Sequence, residues 1–157
     1  MTAMFIGATL FNGDVSNFDT SSVTRMYSMF EEATLFNQDL SSFDTSKVTD
    51  MSFMFSRASS FNGDVSNFNT SSVIDMRHMF YNATSFNGDV SSFDISSVTD
   101  MRYMFYRASS FNQDLCSWQD SFPYTREVSD IFLDSGCTYQ DTPNETQKGP
   151  FCASDCQ

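Results

Sequence analysis

A repeat solenoid of about five coils, made of short parallel strands and short helical or irregular turns, is the fold class this sequence predicts. Three observations carry it. The stretch from Val48 to Ser66 recurs at a shift of 25 residues without gaps, superposing Phe11, Phe36, Phe61, Phe86 and Phe111. The Met-Phe steps at Met4, Met29, Met54, Met79 and Met104 fall in phase with it, as do the N-[GQ]-D-[VL] steps beginning at Asn12, Asn37, Asn62, Asn87 and Asn112. Nearly all of the 18 phenylalanines and 10 methionines sit in these columns, which marks them as the core. One such unit cannot bury its own apolar face and must stack on copies of itself.

In chain order, Met1 already stands in the column of Met26, Met51, Met76 and Met101, with Met4-Phe5 following in phase. Solenoids need capping units over the ends of their core. The in-phase start is therefore read as an N-terminal truncation, with an uncovered first coil able to self-associate. Each unit has two apolar segments. The first, V-x-x-M-x-x-M-F as in Val48, Met51, Met54 and Phe55, fits either a short helical turn or one wall of a coil. The second, as in Phe61 to Ser66, alternates like a short strand, with Phe61, Gly63 and Val65 inward and Asn62, Asp64 and Ser66 outward. Between them, Asp44-Thr45-Ser46-Lys47 and its equivalents are turn chemistry.

After Trp118, which replaces the Phe of Phe18, Phe43, Phe68 and Phe93, the register breaks. Phe132 lies 27 residues beyond Phe105, so two residues are inserted near Phe122-Pro123. Residues 1–118 are thus the repeat array, and 119–157 a last coil with a polar, disulfide-rich cap. The four cysteines, Cys116, Cys137, Cys152 and Cys156, all fall in this end, as expected of disulfides in an oxidising compartment. A Cys116–Cys137 bridge tying the last coil to the cap is preferred, with Cys152–Cys156 closing a small loop; the other two pairings stay open. The spacing lacks paired C-x-x-C knuckles and companion histidines, so zinc is disfavoured.

A net charge of −12 with pI near 4.1 argues against nucleic acid and against anionic membrane surfaces. No run approaches the roughly 20 apolar residues of a spanning helix, so no direct membrane segment is expected. Sequons at Asn69, Asn82 and Asn144 add weakly to a secreted or cell-surface reading, and no signal peptide is visible.

FNQDLSSFDTSKVTDMSFMF, residues 36–55, closely resembles the BspA-type leucine-rich repeat of surface proteins, and the match covers roughly residues 1–132. From Asn112 to the terminal cysteines the chain resembles the cap of algal members. The resemblance implies a right-handed, leucine-rich-repeat-like coil, surface exposure, and adhesion or partner recognition. It carries no catalytic motif.

Two candidate sites follow from the columns. Asp14, Asp39, Asp64, Asp89 and Asp114 would stack about 4.8 Å apart, either as a row of calcium ligands or as acceptors for the adjoining turns. The columns where the units disagree offer a recognition face of Tyr27, Phe53, Arg57, Arg77, His78, Tyr81, Arg102, Tyr103, Tyr106 and Arg107. Ordinary surface drift is the competing account of that variation. His78, the only histidine, has no identifiable nucleophile or acid partner, and no phosphate-cradling Gly-rich loop occurs, so neither an enzyme nor a cofactor is expected. The expected role is a non-enzymatic adhesion module recognising extracellular protein or glycan. The alternative is a structural spacer of a cell wall or extracellular assembly. A third reading, ice or mineral binding by Thr20, Thr45, Thr70, Thr24, Thr49 and Thr99, is weakened by Ile74 and Ile95.

Overall fold

The computed structural model describes residues 1–124 and 127–156. Successive units lie beside one another, and the V-x-x-M-x-x-M-F segment is the rail that joins them. Along it every second N–H reaches the next unit. Met51 donates to Asp75, Phe53 to Arg77, Phe55 to Met79 and Arg57 to Tyr81, at 2.7–3.0 Å. The intervening N–H groups turn back locally, Met54 to the Met51 carbonyl, Ser56 to Phe53 and Ala58 to Phe55. Local turns and cross-unit bonds thus alternate, and neither strand nor α-helix is assigned along the rail. Arg25, Asp50, Asp75, Asp100 and Glu127 form isolated parallel bridges from unit to unit, with no continuous strand along the rail among the described residues. The cause is the backbone: Phe53, Arg57, His78, Asn82, Tyr103 and Arg107 all have φ of 53–59°, the left-handed region, which interrupts any extended run. The single regular helix among the described residues is a 3-10 turn, Cys116–Trp118.

The core consists of two interleaved phenylalanine columns. Phe30, Phe55, Phe80 and Phe105 stack at 5.5–5.7 Å between units, and Phe36, Phe61, Phe86 and Phe111 at 5.8–5.9 Å. Within a unit the two rings lie face to face, as Phe55 and Phe61 do at 4.0 Å. All of these are fully buried, together with Met51, Met54, Ala58 and Val65 and their equivalents in the second, fourth and fifth units. Burying one such ring is worth about 1.5–3 kcal/mol. In the first unit Phe5 and Phe11 are only partly covered, and Met4, Ile6 and Leu10 are exposed.

The second segment keeps its expected sides: Phe61 and Val65 are buried, Gly63 is half-buried, and Asn62, Asp64 and Ser66 are exposed. It is nevertheless no strand, because its cross-unit bonds go to side chains. The Asn37 N–H donates to Asn12 Oδ1, Asn62 to Asn37, Asn87 to Asn62, Asn112 to Asn87, and Thr138 to Asn112, all at 2.8–3.1 Å. This asparagine ladder satisfies amides that would otherwise face the neighbouring unit unpaired.

Beyond the two-residue insertion the rail resumes. Met101 donates to Glu127, Phe105 to Ile131 and Arg107 to Leu133, and Phe132 stacks on Phe105 at 6.0 Å. The disulfides correct the preferred pairing. They are Cys116–Cys156 and Cys137–Cys152, with Cα–Cα distances of 5.3 and 4.6 Å. The reason is a chain reversal. Residues 151–154 fold back between the last unit and the cap: Tyr139 N–H donates to the Cys152 carbonyl and Ala153 N–H to that of Gln113. That placement puts Cys152 against Cys137. The Phe151–Ser154 turn then carries Cys156 over Cys116.

Candidate recognition strip

The left-handed residues of the rail stand where the sequence varies. Their side chains, with those of the flanking positions, form one continuous strip. Phe53 and His78 stack at 4.5 Å and 6° between planes, and His78 lies 5.0 Å from Tyr103 and 5.3 Å from Tyr81. Tyr81 stacks on Tyr106 at 5.3 Å, Tyr106 meets Tyr103 edge-on at 5.7 Å, and Tyr27 closes the lower end edge-on to Phe53 at 5.9 Å. Guanidinium groups roof the rings: Arg57 over Tyr81, Arg77 over Phe53 and Arg107 over Tyr106, at 5.8, 5.8 and 5.0 Å. Arg102 completes the set beside Arg77, both contacting Asp100. All ten candidate residues therefore belong to one patch, spread over neighbouring units.

Its charges are locally balanced. Arg102 grips Asp100 with two bonds of 2.6 and 3.0 Å, and Arg57 meets Glu32 at 2.6 Å. Arg77 lies 3.5 Å from Asp75, and Arg107 3.4 Å from Asp134. The exposed pairs contribute about 0–1 kcal/mol each. Burial pushes the Asp75 carboxyl up, with the neighbouring Asp100 and Asp50 charges adding to it against Arg77. Burial also acts on Asp100, but the Arg102 bonds and charge outweigh it and hold that carboxyl low. His78 is pushed down, first by burial and then by the Arg77 charge, and its Nδ1 is buried without a partner among the described residues. The ring is therefore neutral near pH 7 and serves as an aromatic rung.

The second candidate column behaves differently. Asp14, Asp39, Asp64, Asp89 and Asp114 are each bonded through Oδ1 to the backbone N–H two residues on, at 2.8–2.9 Å. The Ser16, Ser66 and Ser91 amides hold the carboxyls of Asp14, Asp64 and Asp89 below the usual range. Each carboxylate so placed caps its own turn. Asp114 does gather with Cys116 and Cys156, but both sulfurs belong to a disulfide and offer no thiolate. The threonine columns are likewise engaged. Thr20, Thr45 and Thr70 are buried, and the Thr45 and Thr70 hydroxyls donate to the Asn69 and Asp94 carbonyls. Those of Thr49 and Thr99 donate to Thr24 and Ile74.

Sequence reasoning found the strip by its variation but missed its acidic partners. Asp50, Asp75 and Asp100 belong to a nearly constant column, and their adjacency to Arg77 and Arg102 two residues on was the available signal. No comparable signal marked Glu32 or Asp134, whose partners lie 25 and 27 residues away.

A family model described as "Mycoplasma protein of unknown function, DUF285" matches two overlapping stretches, residues 1–73 and 42–143. No curated protein and no solved structure matches the chain.

Proposed function

The chain belongs to the DUF285 family, and from that membership together with the strip we propose that it is a non-enzymatic binding module of an extracellular, BspA-type surface protein. In this reading the stacked units are a right-handed solenoid, and the strip from Tyr27 to Arg107 is its recognition face for an extracellular protein or glycan. The observation that carries it is the convergence of the variable aromatic and arginine residues into one patch on a chain of net charge −12. Aromatic and Arg side chains are the usual energetic anchors of interfaces, and the balanced ion pairs leave the patch near neutral. Two disulfides support an oxidising compartment.

Within that reading a polypeptide suits the strip better than a sugar. Ring faces are occupied, since Tyr81 lies between Arg57 and Tyr106, and Tyr106 between Tyr81 and Arg107. Edges and hydroxyls are what remain to a partner. The test is an array of extracellular proteins and glycans probed with the wild type and with a Tyr81→Ser, Tyr106→Ser, Arg107→Ser variant. Ser already stands at the equivalent position 56 of the third unit. Arg102 is left intact because its loss would strand the buried Asp100. Signals that vanish in the variant support the reading, and signals indifferent to it refute it. The spacer reading draws on the asparagine ladder, which runs unbroken from Asn12 to Thr138. It predicts no strip-dependent signal at all.

A further inference from the structure

The chain's three Asn-x-Ser/Thr tripeptides fold into different surroundings, and the difference bears on what each asparagine can carry. Asn82 is half-buried in the rail at φ 53°. Its N–H donates to the Tyr106 carbonyl at 2.7 Å, and the Thr84 hydroxyl is committed to the Ser59 carbonyl. Asn144 is exposed, but its Nδ2 donates to Gln147 Oε1 at 3.1 Å and its Oδ1 holds the Thr146 and Gln147 N–H groups. Asn69 differs from both. It is exposed, and its Oδ1 accepts from the Ser71 N–H at 3.1 Å and the Ser71 hydroxyl at 2.7 Å. Its Nδ2 makes no bond among the described residues.

The turn itself does not call for an asparagine. Asp44 and Asp94 stand at the same position of the neighbouring units and bond the Ser46 and Ser96 N–H groups through Oδ1 at 3.0 Å. An aspartate therefore caps this turn as well. What Asn69 adds is an amide nitrogen with both hydrogens unused, two residues before a hydroxyl. Among the described residues, none of the strip's ring contacts or ion pairs involves it.

We propose that Asn69 is the acceptor for an N-linked oligosaccharide, a modification that rests on the extracellular reading of the chain. In the transfer Asn69 Nδ2 gives up one proton and bonds the anomeric carbon of a lipid-diphosphate-linked oligosaccharide. The bond from that carbon to the phosphate oxygen breaks, and the lipid diphosphate leaves. Nothing is oxidised or reduced. The folded turn accommodates the product, because Oδ1 keeps both Ser71 bonds and Nδ2 has none to lose. A glycan on Asn144 would compete with the Gln147 bond, and one on Asn82 would crowd the rail beside Tyr81. A linked sugar is bulky and hydrated, so a fully exposed position suits it best.

The experiment secretes residues 1–157 behind a leader from a eukaryotic cell that attaches N-linked glycans, so the compartment is fixed and the outcome bears on Asn69 alone. The extracellular reading stands or falls separately, on where the native protein is found. Secreted chains carrying the Cys116–Cys156 and Cys137–Cys152 bridges are treated with peptide N-glycosidase in heavy-oxygen water. Each formerly glycosylated asparagine then reads as labelled aspartate. Label on Asn69 in most chains is expected, well above that on Asn82 and Asn144. Asn69→Asp and Ser71→Ala should each abolish the glycan on this turn, and Ser71→Thr should keep it. Asn69→Asp should leave the melting temperature unchanged, since Asp44 and Asp94 already hold the same turn. An unlabelled Asn69, heavier label on Asn82 or Asn144, or label on Asn69 that survives Ser71→Ala would each overturn the proposal.

Discussion

Arg107, at φ 58°, shows how single residues shape this molecule. A left-handed backbone costs an ordinary residue about 1–2 kcal/mol, and Asn bears it best after Gly. The equivalent residue in the unit before is Asn82, and in the first unit it is Gly7. Arg107→Asn should therefore lower stability by no more than about 1 kcal/mol, because the exposed pair with Asp134 and the stacking over Tyr106 that it gives up are each weak and Asn bears the φ better. Arg107→Val, a β-branched residue at the same φ, should lower it by about 1 kcal/mol or more. Urea unfolding of the two variants measures both.

His78 gives a pH dependence of known sign. Its folded pKa lies below the ordinary histidine value of 6.5, first because of burial and then because of Arg77; Arg102 and Arg57 act the same way and Asp100 opposes them. Between those two values the unfolded chain binds more protons than the folded one, so stability rises with pH. Stability should be level above about pH 7 and fall as pH drops below 6.5. His78→Phe, which keeps the stack on Phe53, should remove that slope. Denaturation at a series of pH values reads it, and a slope that persists in the variant would place its origin elsewhere.

At the scale of elements, the cap is held by nested bridges spanning 40 and 15 residues. Non-reducing digestion should yield a peptide joining Cys116 to Cys156 and another joining Cys137 to Cys152. Replacing Cys116 and Cys156 together by Ser should cost about 2–4 kcal/mol. Recovery of a Cys116–Cys137 peptide from natively oxidised protein would contradict the cap described here.

How far the sequence speaks also divides at this scale. The core columns were readable because a strict 25-residue period forces equivalent residues into equivalent burial, as Phe36, Phe61, Phe86 and Phe111 show. The rail's conformation was not, since nothing in Phe53, Arg57 or His78 announces a positive φ. The asparagine column could be seen, but not that its side chains replace backbone acceptors between units. The strip was visible as variation, and its ion pairs were hidden across the unit boundary. The bridge pattern depended on the reversal at residues 151–154, which no local spacing encodes.

For the whole molecule, the repeated rail leaves an apolar edge on the first unit. Met4, Ile6 and Leu10 are 48%, 53% and 82% exposed, whereas the equivalent Met29 is fully buried. Nothing among the described residues donates to the Thr2, Met4 and Ile6 carbonyls. Such an edge favours contact between chains. Sedimentation of residues 1–157 should therefore depend on concentration, and Leu10→Lys should abolish that dependence. Concentration-independent behaviour of the wild type would remove this edge as a contact.

Everything proposed for the strip depends on the rail that places Phe53, His78 and Tyr103 one above another. Couplings measured across hydrogen bonds by NMR test that arrangement most directly. The account predicts couplings from the Phe53 amide to the Arg77 carbonyl, Phe55 to Met79 and Arg57 to Tyr81, each 24 residues away. Local couplings from Met54 to Met51 and Ala58 to Phe55 should alternate with them. An unbroken set of local couplings along residues 51–58, with none reaching the next unit, would contradict the stacking and the strip with it.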